Sequence, residues 1–261
     1  AGSRFARDKL VNQQSFALPS VGTLQSNYGG GHVNLLPGKG NTIEIEEYMS
    51  QHKREYDAET QQEGDLVTIT NGMRPPDPTF TAKISVYIPV SYTGAIVVQT
   101  TGGSITSEAA FTLKDFTAIS ESGSIDCSDI TAKSLRLVNN SGSTDGRNLS
   151  GPLDITSQSG STRLYDLSGS GTFVGGEGRM EVAFSQVTGS LAISTTSGRL
   201  DLIIPTKTNA NFSATTNSGS FEISLPGDFD KEETMVQGVL GSTPKLDISL
   251  STTSGRISVG N

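Results

Sequence analysis

Apolar and polar residues alternate in short runs through most of this chain. Ile125 and Cys127 alternate with polar neighbours, and so do Leu135 and Leu137. The same pattern recurs at Leu153/Ile155, Met180/Val182/Phe184, Leu191/Ile193, Leu200/Leu202/Ile204 and Phe221/Ile223/Leu225. It closes at Leu246/Ile248/Leu250 and Ile257/Val259. A period of two predicts short β-strands with one face buried and one in water. No helical period occurs after residue 80.

The runs are punctuated by a repeated turn, Ser-Gly followed by Ser or Arg, then a residue that opens a strand. Its glycines are Gly103, Gly123, Gly142, Gly160, Gly178, Gly198, Gly219 and Gly255. Their spacings are 20, 19, 18, 18, 20, 21 and 36 residues. The long last gap reads as one ordinary unit plus an insertion near 227–244. Glycine at the turn supplies a positive φ in this reading, and the adjacent Ser or Asn bonds the local backbone. A two-strand unit cannot bury its own apolar face, whereas stacked units can, which is the logic of a solenoid. The expected fold is all-β: a β-solenoid, or single-stranded β-helix, of 18–21-residue two-strand coils. A propeller with two units per blade is the alternative.

The N-terminal third is also β without the 20-residue period. Thr42-Ile43-Glu44-Ile45-Glu46 and Leu66-Val67-Thr68-Ile69 alternate, and Ile84, Val86 and Ile88 share a face before Pro89. The expected organisation is a disordered or linker segment over 1–13, an irregular β cap over 14–100 and solenoid repeats over 101–261. A cap is expected because an open solenoid end is an unpaired sheet edge.

Several segments resemble the bacterial DUF4097 family, a β-repeat cell-surface domain labelled as an adhesin. They are Thr-Ser-Gly-Arg-Leu at 196–200 and Thr-Thr-Ser-Gly-Arg-Ile-Ser-Val at 252–259. Ala82-Lys83-Ile84-Ser85-Val86-Tyr87-Ile88-Pro89, then Ser91-Tyr92, is similar to the strand that leads into the family's repeats. Glu47-Tyr48-Met49-Ser50 and Asn71-Gly72-Met73-Arg74-Pro75 resemble a Gram-positive version. The resemblance spans about residues 20–261. It implies a solenoid-like repeat outside the cytoplasmic membrane, anchored by a segment beyond this sequence. The family offers no catalytic motif to transfer.

Composition narrows the chemistry. The 261 residues carry 19 Lys+Arg against 27 Asp+Glu, a net charge of −8, with no basic cluster to displace nucleic-acid counterions. No run approaches a membrane span. The single cysteine, Cys127, cannot form an internal disulfide and reads as a small buried hydrophobe. His32 and His52 lack metal-ligand spacing. Gly29-Gly30-Gly31 has no following Gly-Lys-Ser/Thr to cradle phosphate, and Ser168-Gly169-Ser170-Gly171 is no nucleophile elbow. Asp126, Asp154 and Asp201 fall on wet strand faces, where a carbohydrate-active enzyme would gather carboxylates. Asp228, Asp230, Glu232 and Glu233 do not follow a calcium loop, and Lys231 opposes one. The paired threonines 100–101, 195–196, 215–216 and 252–253 lack the full grid of an ice-binding face.

Tyr28, Tyr48, Tyr56, Tyr87 and Tyr92 concentrate in the N-terminal third and form the expected interaction surface. The expected function is therefore a non-enzymatic extracytoplasmic module, adhesive or otherwise surface-interacting, with no cofactor, metal or nucleic-acid partner. Its partner is a protein or glycan at a cell surface, and membrane association comes only through an anchor outside the sequence. The ectodomain of an envelope-stress or regulatory membrane protein is the second reading, and a carbohydrate-active β-helix enzyme the third.

Overall fold

The computed structural model describes residues 8–261 as an all-β chain that divides into two units, residues 8–133 and 134–261. Unit 1 contains β1 (Lys9–Ala17), β2 (Thr23–Asn27), β3 (His32–Gly38), β4 (Thr42–Met49), β5 (Glu59–Glu63) and β6 (Leu66–Thr70). It continues with β7 (Ala82–Pro89), β8 (Ala95–Thr100), β9 (Ile105–Ser107), β10 (Phe111–Leu113), β11 (Asp115–Ser120) and β12 (Ile125–Ala132). Unit 2 contains β13 (Leu135–Asn139), β14 (Thr144–Ser157), β15 (Thr162–Gly175), β16 (Met180–Thr195), β17 (Arg199–Ile203) and β18 (Ala210–Thr216). It ends with β19 (Ser220–Ile223), β20 (Phe229–Lys231), β21 (Met235–Leu240), β22 (Leu246–Thr252) and β23 (Arg256–Gly260). Strand β1 begins at Lys9, so residues 9–13 are not the linker expected from the sequence; residues 1–7 lie outside the described residues.

Each unit is a β-solenoid of two parallel stacks. In unit 1, β6, β2, β8 and β11 form one stack, and β7, β3, β9 with β10, and β12 form the other. Equivalent apolar positions sit on one another: Leu24 against Val67 and Ile96, Val33 against Ile84 and Ile105. All six are at most 2 % exposed. The coil at 23–38 therefore lies between the coils at 66–89 and 95–113, out of chain order. Residues 23–38 and 66–89 thus form regular coils, not an irregular cap. Their period is hidden because the connection between the first two coils runs through β4 and β5.

Unit 2 follows the same plan. Its first stack runs β13, β14, β15, β16, β22, β18, and its second runs β14, β15, β16, β17, β23, β19. Strands β14, β15 and β16 are long enough to bend and serve both stacks. Here the last coil of the chain is slotted between two earlier ones. The insertion in the 36-residue gap is an antiparallel pair, β20 on β21, with β21 antiparallel to β18.

The turn glycines are needed for a reason other than the one expected. None of the repeat's turn glycines has a positive φ. A Cβ on Gly103 would instead strike the carbonyl oxygen of Gly31, and one on Gly123 would strike that of Gly103. In unit 2 the same collision repeats at Gly160, Gly178, Gly198, Gly255 and Gly219, each against the turn glycine stacked beside it. Close approach of one backbone to the next leaves no room for a side chain. Gly31, the third residue of the Gly29-Gly30-Gly31 run, belongs to this ladder.

Beside most of these turns stands a hydroxyl or amide that bonds the turn's backbone; at Gly178 the equivalent position is Gly175. The N–H of Gly103 donates to Thr100 Oγ1 (3.2 Å), that of Gly123 to Ser120 Oγ (2.9 Å) and that of Gly142 to Asn139 Oδ1 (3.0 Å). Thr252 and Thr216 serve Gly255 and Gly219 in the same way, at 2.9 and 2.7 Å. Backbone groups excluded from water need such partners. The first-named threonines of the four pairs are thus turn braces, except Thr215, where Thr216 takes that role. Three bends use non-glycine residues in the left-handed region: Asp129 (φ 60°), Asn148 (53°) and Asp166 (54°). Asn and Asp tolerate that conformation better than other residues with a Cβ.

Candidate functional site

The five tyrosines divide into buried and accessible groups. Tyr28, Tyr56 and Tyr92 are at most 5 % exposed and cannot contact a partner directly. Burial raises the phenol of Tyr28, with further help from the nearby Glu47, and it pushes Tyr92 up to about 12. The Tyr92 hydroxyl donates to Ala95 O at 2.7 Å. Tyr28 and Tyr56 surround a polar core that the sequence did not signal. Its centre is Glu47, fully buried, which accepts from Tyr28 Oη (2.9 Å), Asn12 Nδ2 (2.8 Å) and the Ala58 N–H (2.6 Å). The Arg74 guanidinium lies 4.9 Å from the Tyr28 ring centre and donates to Tyr56 O at 3.2 Å. These groups are structural: several buried donors converge on one carboxylate beside a cation.

Tyr48 and Tyr87 remain half-exposed, on the outward face of β1, β4 and β7 in unit 1. Antiparallel register sets Glu44 opposite Tyr87 and Tyr48 opposite Lys83 across β4 and β7. Glu46 is the hub. It accepts from Tyr48 Oη at 2.6 Å, from Tyr87 Oη at 3.4 Å and from Gln13 Nε2 at 3.4 Å. The Tyr48 phenol is pushed up to about 12, first by this hydrogen bond to Glu46 and then by burial. Lys83 Nζ lies 4.6 Å from the Tyr48 ring centre, within cation–π range. A shallow depression of about 350 Å³, lined by Gln13, Gln14, Ser15, Glu44, Ile45 and Glu46, adjoins these rings. The alternation of residues 42–46 already puts Glu44 and Glu46 on a wet face. Their meeting with Tyr87 depends on long-range register, which no local pattern carries.

The remaining candidates are dispersed. Cys127 is fully buried, and burial pushes its thiol up to about 12, away from reactivity. His32 lies beside Ser104, and burial, then Lys83, lowers its pKa. His52 sits 2.8 Å from Asp57 Oδ1 in an exposed loop. Asp154 faces Arg136 at 3.6 Å, and Asp201 faces Arg179 at 3.0 Å and Arg199 at 2.9 Å. The first pair lies on the β13–β14 stack and the second on the β16–β17 stack, so these carboxylates do not converge. Asp228 and Asp230 line an open groove of about 1020 Å³ with Asn211, Asp247, Gln237 and Val239. Among the described residues, no three His, Cys, Asp or Glu side chains are grouped to hold a metal ion. No helix among them is long and apolar enough to cross a membrane.

The architecture is thus that of a β-solenoid with outward polar faces. The chain belongs to the Toastrack DUF4097 family, whose sequence model matches residues 24–260. No curated protein matches it. Among solved structures, a "putative adhesin" from Parabacteroides distasonis shares the fold at TM-score 0.61 and 12% identity, over 96% of this chain and 97% of that one. A "putative adhesin" from Bacteroides fragilis aligns at TM-score 0.49 and 13% identity, over 97% of both chains. A "putative cell adhesion protein" from Clostridium sporogenes aligns at TM-score 0.40 and 12% identity, over 97% and 98%.

Proposed function

We propose that this chain is a non-catalytic interaction module acting outside the cytoplasmic membrane. It holds a partner at a cell surface through the outward face of β1, β4 and β7. The observation that carries this reading is the gathering of Tyr48, Tyr87, Glu44, Glu46, Lys83 and Gln13 on one sheet face. Two aromatic rings, a carboxylate hub and an ammonium group offer stacking and hydrogen bonding together, the chemistry of polar protein and glycan surfaces. A sheet backbone fixes these groups before binding, which lowers the ordering cost. The "putative adhesin" description of the Parabacteroides relative supports the same direction.

The test is binding of the labelled chain to two surfaces: an array of foreign glycans and matrix proteins, and the producer's own envelope with its membrane proteins. Saturable binding to the array, reduced about tenfold or more in a Tyr48→Ala/Tyr87→Ala double variant, supports adhesion through this face. Saturable binding to the producer's envelope alone moves the reading to a same-cell regulatory partner. Binding unaffected by the double variant removes this face from the account.

A further inference from the structure

The final coil of unit 2 is finished on one side only. Strand β18 carries the antiparallel β21 on its outer edge, and β21 carries β20. Strand β19, the other half of the same coil, pairs with β23 alone among the described strands. The hydrogen bonds flanking it run to the same side: Ser220 N–H to Gly255 O at 3.2 Å and Ser224 N–H to Val259 O at 2.8 Å. Burial records the missing neighbour. In β23 the inward Ile257 and Val259 are 0 % and 2 % exposed, and in β17 Leu200 and Leu202 are 0 % and 1 %. The corresponding Phe221 and Ile223 of β19 are only half-buried, as is Leu225 just beyond. An edge with unpaired backbone and a half-covered apolar row is a template for another strand.

The strand already on the occupied edge shows what chemistry β19 accepts. In β23, Ile257 lies opposite Phe221 and Val259 opposite Ile223, while Arg256 forms an ion pair with Glu222. The acidic group on β19 itself is Glu222, exposed between the apolar Phe221 and Ile223. We propose that the free edge of β19 binds an extended peptide segment of a protein partner by strand addition. That segment has apolar residues at alternate positions and at least one Lys or Arg between them. Backbone hydrogen bonds provide affinity, the apolar row and Glu222 provide selectivity. This site is independent of the tyrosine face of unit 1.

A labelled peptide with the sequence of residues 252–260, Thr-Thr-Ser-Gly-Arg-Ile-Ser-Val-Gly, is the probe, added to the full chain and followed by anisotropy and amide hydrogen exchange. The expected result is saturable binding with new protection at Phe221, Ile223 and Leu225. Ile257→Pro together with Ser258→Pro in the peptide abolishes binding, because one of two neighbouring N–H groups faces the ladder whichever way the added strand runs. Arg256→Glu in the peptide, or Glu222→Lys in the chain, weakens it about threefold to fivefold, as for an exposed charge pair. The exposed position of Glu222 leaves the fold of that variant intact, checked by its thermal midpoint. Binding indifferent to the proline substitutions, or without protection of β19, overturns the proposal. Concentration-dependent self-association that protects β19 also overturns it, by assigning the edge to a second copy.

Discussion

The outermost coils of the two units repeat one geometry and end it differently. In unit 1 the coil of β6 and β7 is covered on both stacks: β5 lies antiparallel on β6, and β4, backed by β1, lies antiparallel on β7. Its inward residues Ile84, Val86 and Ile88 are all 0 % exposed. In unit 2 only β18 is covered, and the inward residues of β19 stay half-buried. Both coils carry an alternating apolar row, joined through residues 71–81 in unit 1 and through the Ser-Gly turn at Gly219 in unit 2. What differs is whether non-repeating, antiparallel segments have been added to close the edge. The coils make the core, and the irregular insertions decide which edges remain available.

The largest expected effect concerns what both units share. Gly123→Val in unit 1 and Gly198→Val in unit 2 force a side chain into a neighbouring carbonyl. Each should lose about 3–5 kcal/mol in urea unfolding. Gly30→Ala, where φ is +68° and nothing lies within reach of a Cβ, should cost only about 1 kcal/mol. Equal losses at these sites would remove close approach as the reason for the ladder.

Next comes the polar core found only in unit 1. Glu47→Ala strands the Tyr28 hydroxyl, the Asn12 amide and the Ala58 N–H, with the Arg74 cation nearby. The expected cost is about 3 kcal/mol, read as a lower thermal midpoint. A loss below about 1 kcal/mol would show that these groups find water instead.

The comparison itself is sharpened by one pair of substitutions. Ile84→Ala, on the covered edge, should cost about 2–4 kcal/mol, and Ile223→Ala, on the open edge, about half as much. Equal costs would mean that β19 is covered in solution.

A smaller effect follows from titration. Tyr92 and Cys127 are each pushed by burial up to about 12, from 10.0 and 9.0. Both groups hold their protons more tightly when folded, so their contribution is complete below pH 9. It falls as the pH rises through 9–12, because the unfolded chain releases those protons first. Urea midpoints measured from pH 8 to 11 should decline, and Cys127 should resist alkylation at pH 8 until the chain unfolds.

Much of the fold was legible in the sequence, because alternation and the Ser-Gly turn are local signals. Coil order was not. Turns at Gly198, Gly219 and Gly255 are chemically interchangeable, so nothing local states that Gly255 stacks between the other two. The reason for the glycines was hidden for a similar cause: a turn looks alike whether it needs a positive φ or a bare Cα. The tyrosines were half legible. Composition identified the cluster, but Tyr28 is drawn inside by Glu47, 19 residues away, while Tyr48 stays out on a neighbouring face. Strand β1 was missed because Lys9 to Gln14, with Leu10 and Val11 side by side, shows no alternation and pairs with β4 on a largely solvated face.

Amide hydrogen exchange on the unliganded chain tests the contrast between the covered edge at β7 and the open edge at β19 most directly. Protection reports local opening strand by strand. The account predicts slow exchange at Ile84, Val86 and Ile88, held between β3 and β4, and fast exchange at Phe221 and Ile223 despite their place in a strand. Slow exchange of β19, matching that of β7, would contradict it and show that the edge is closed.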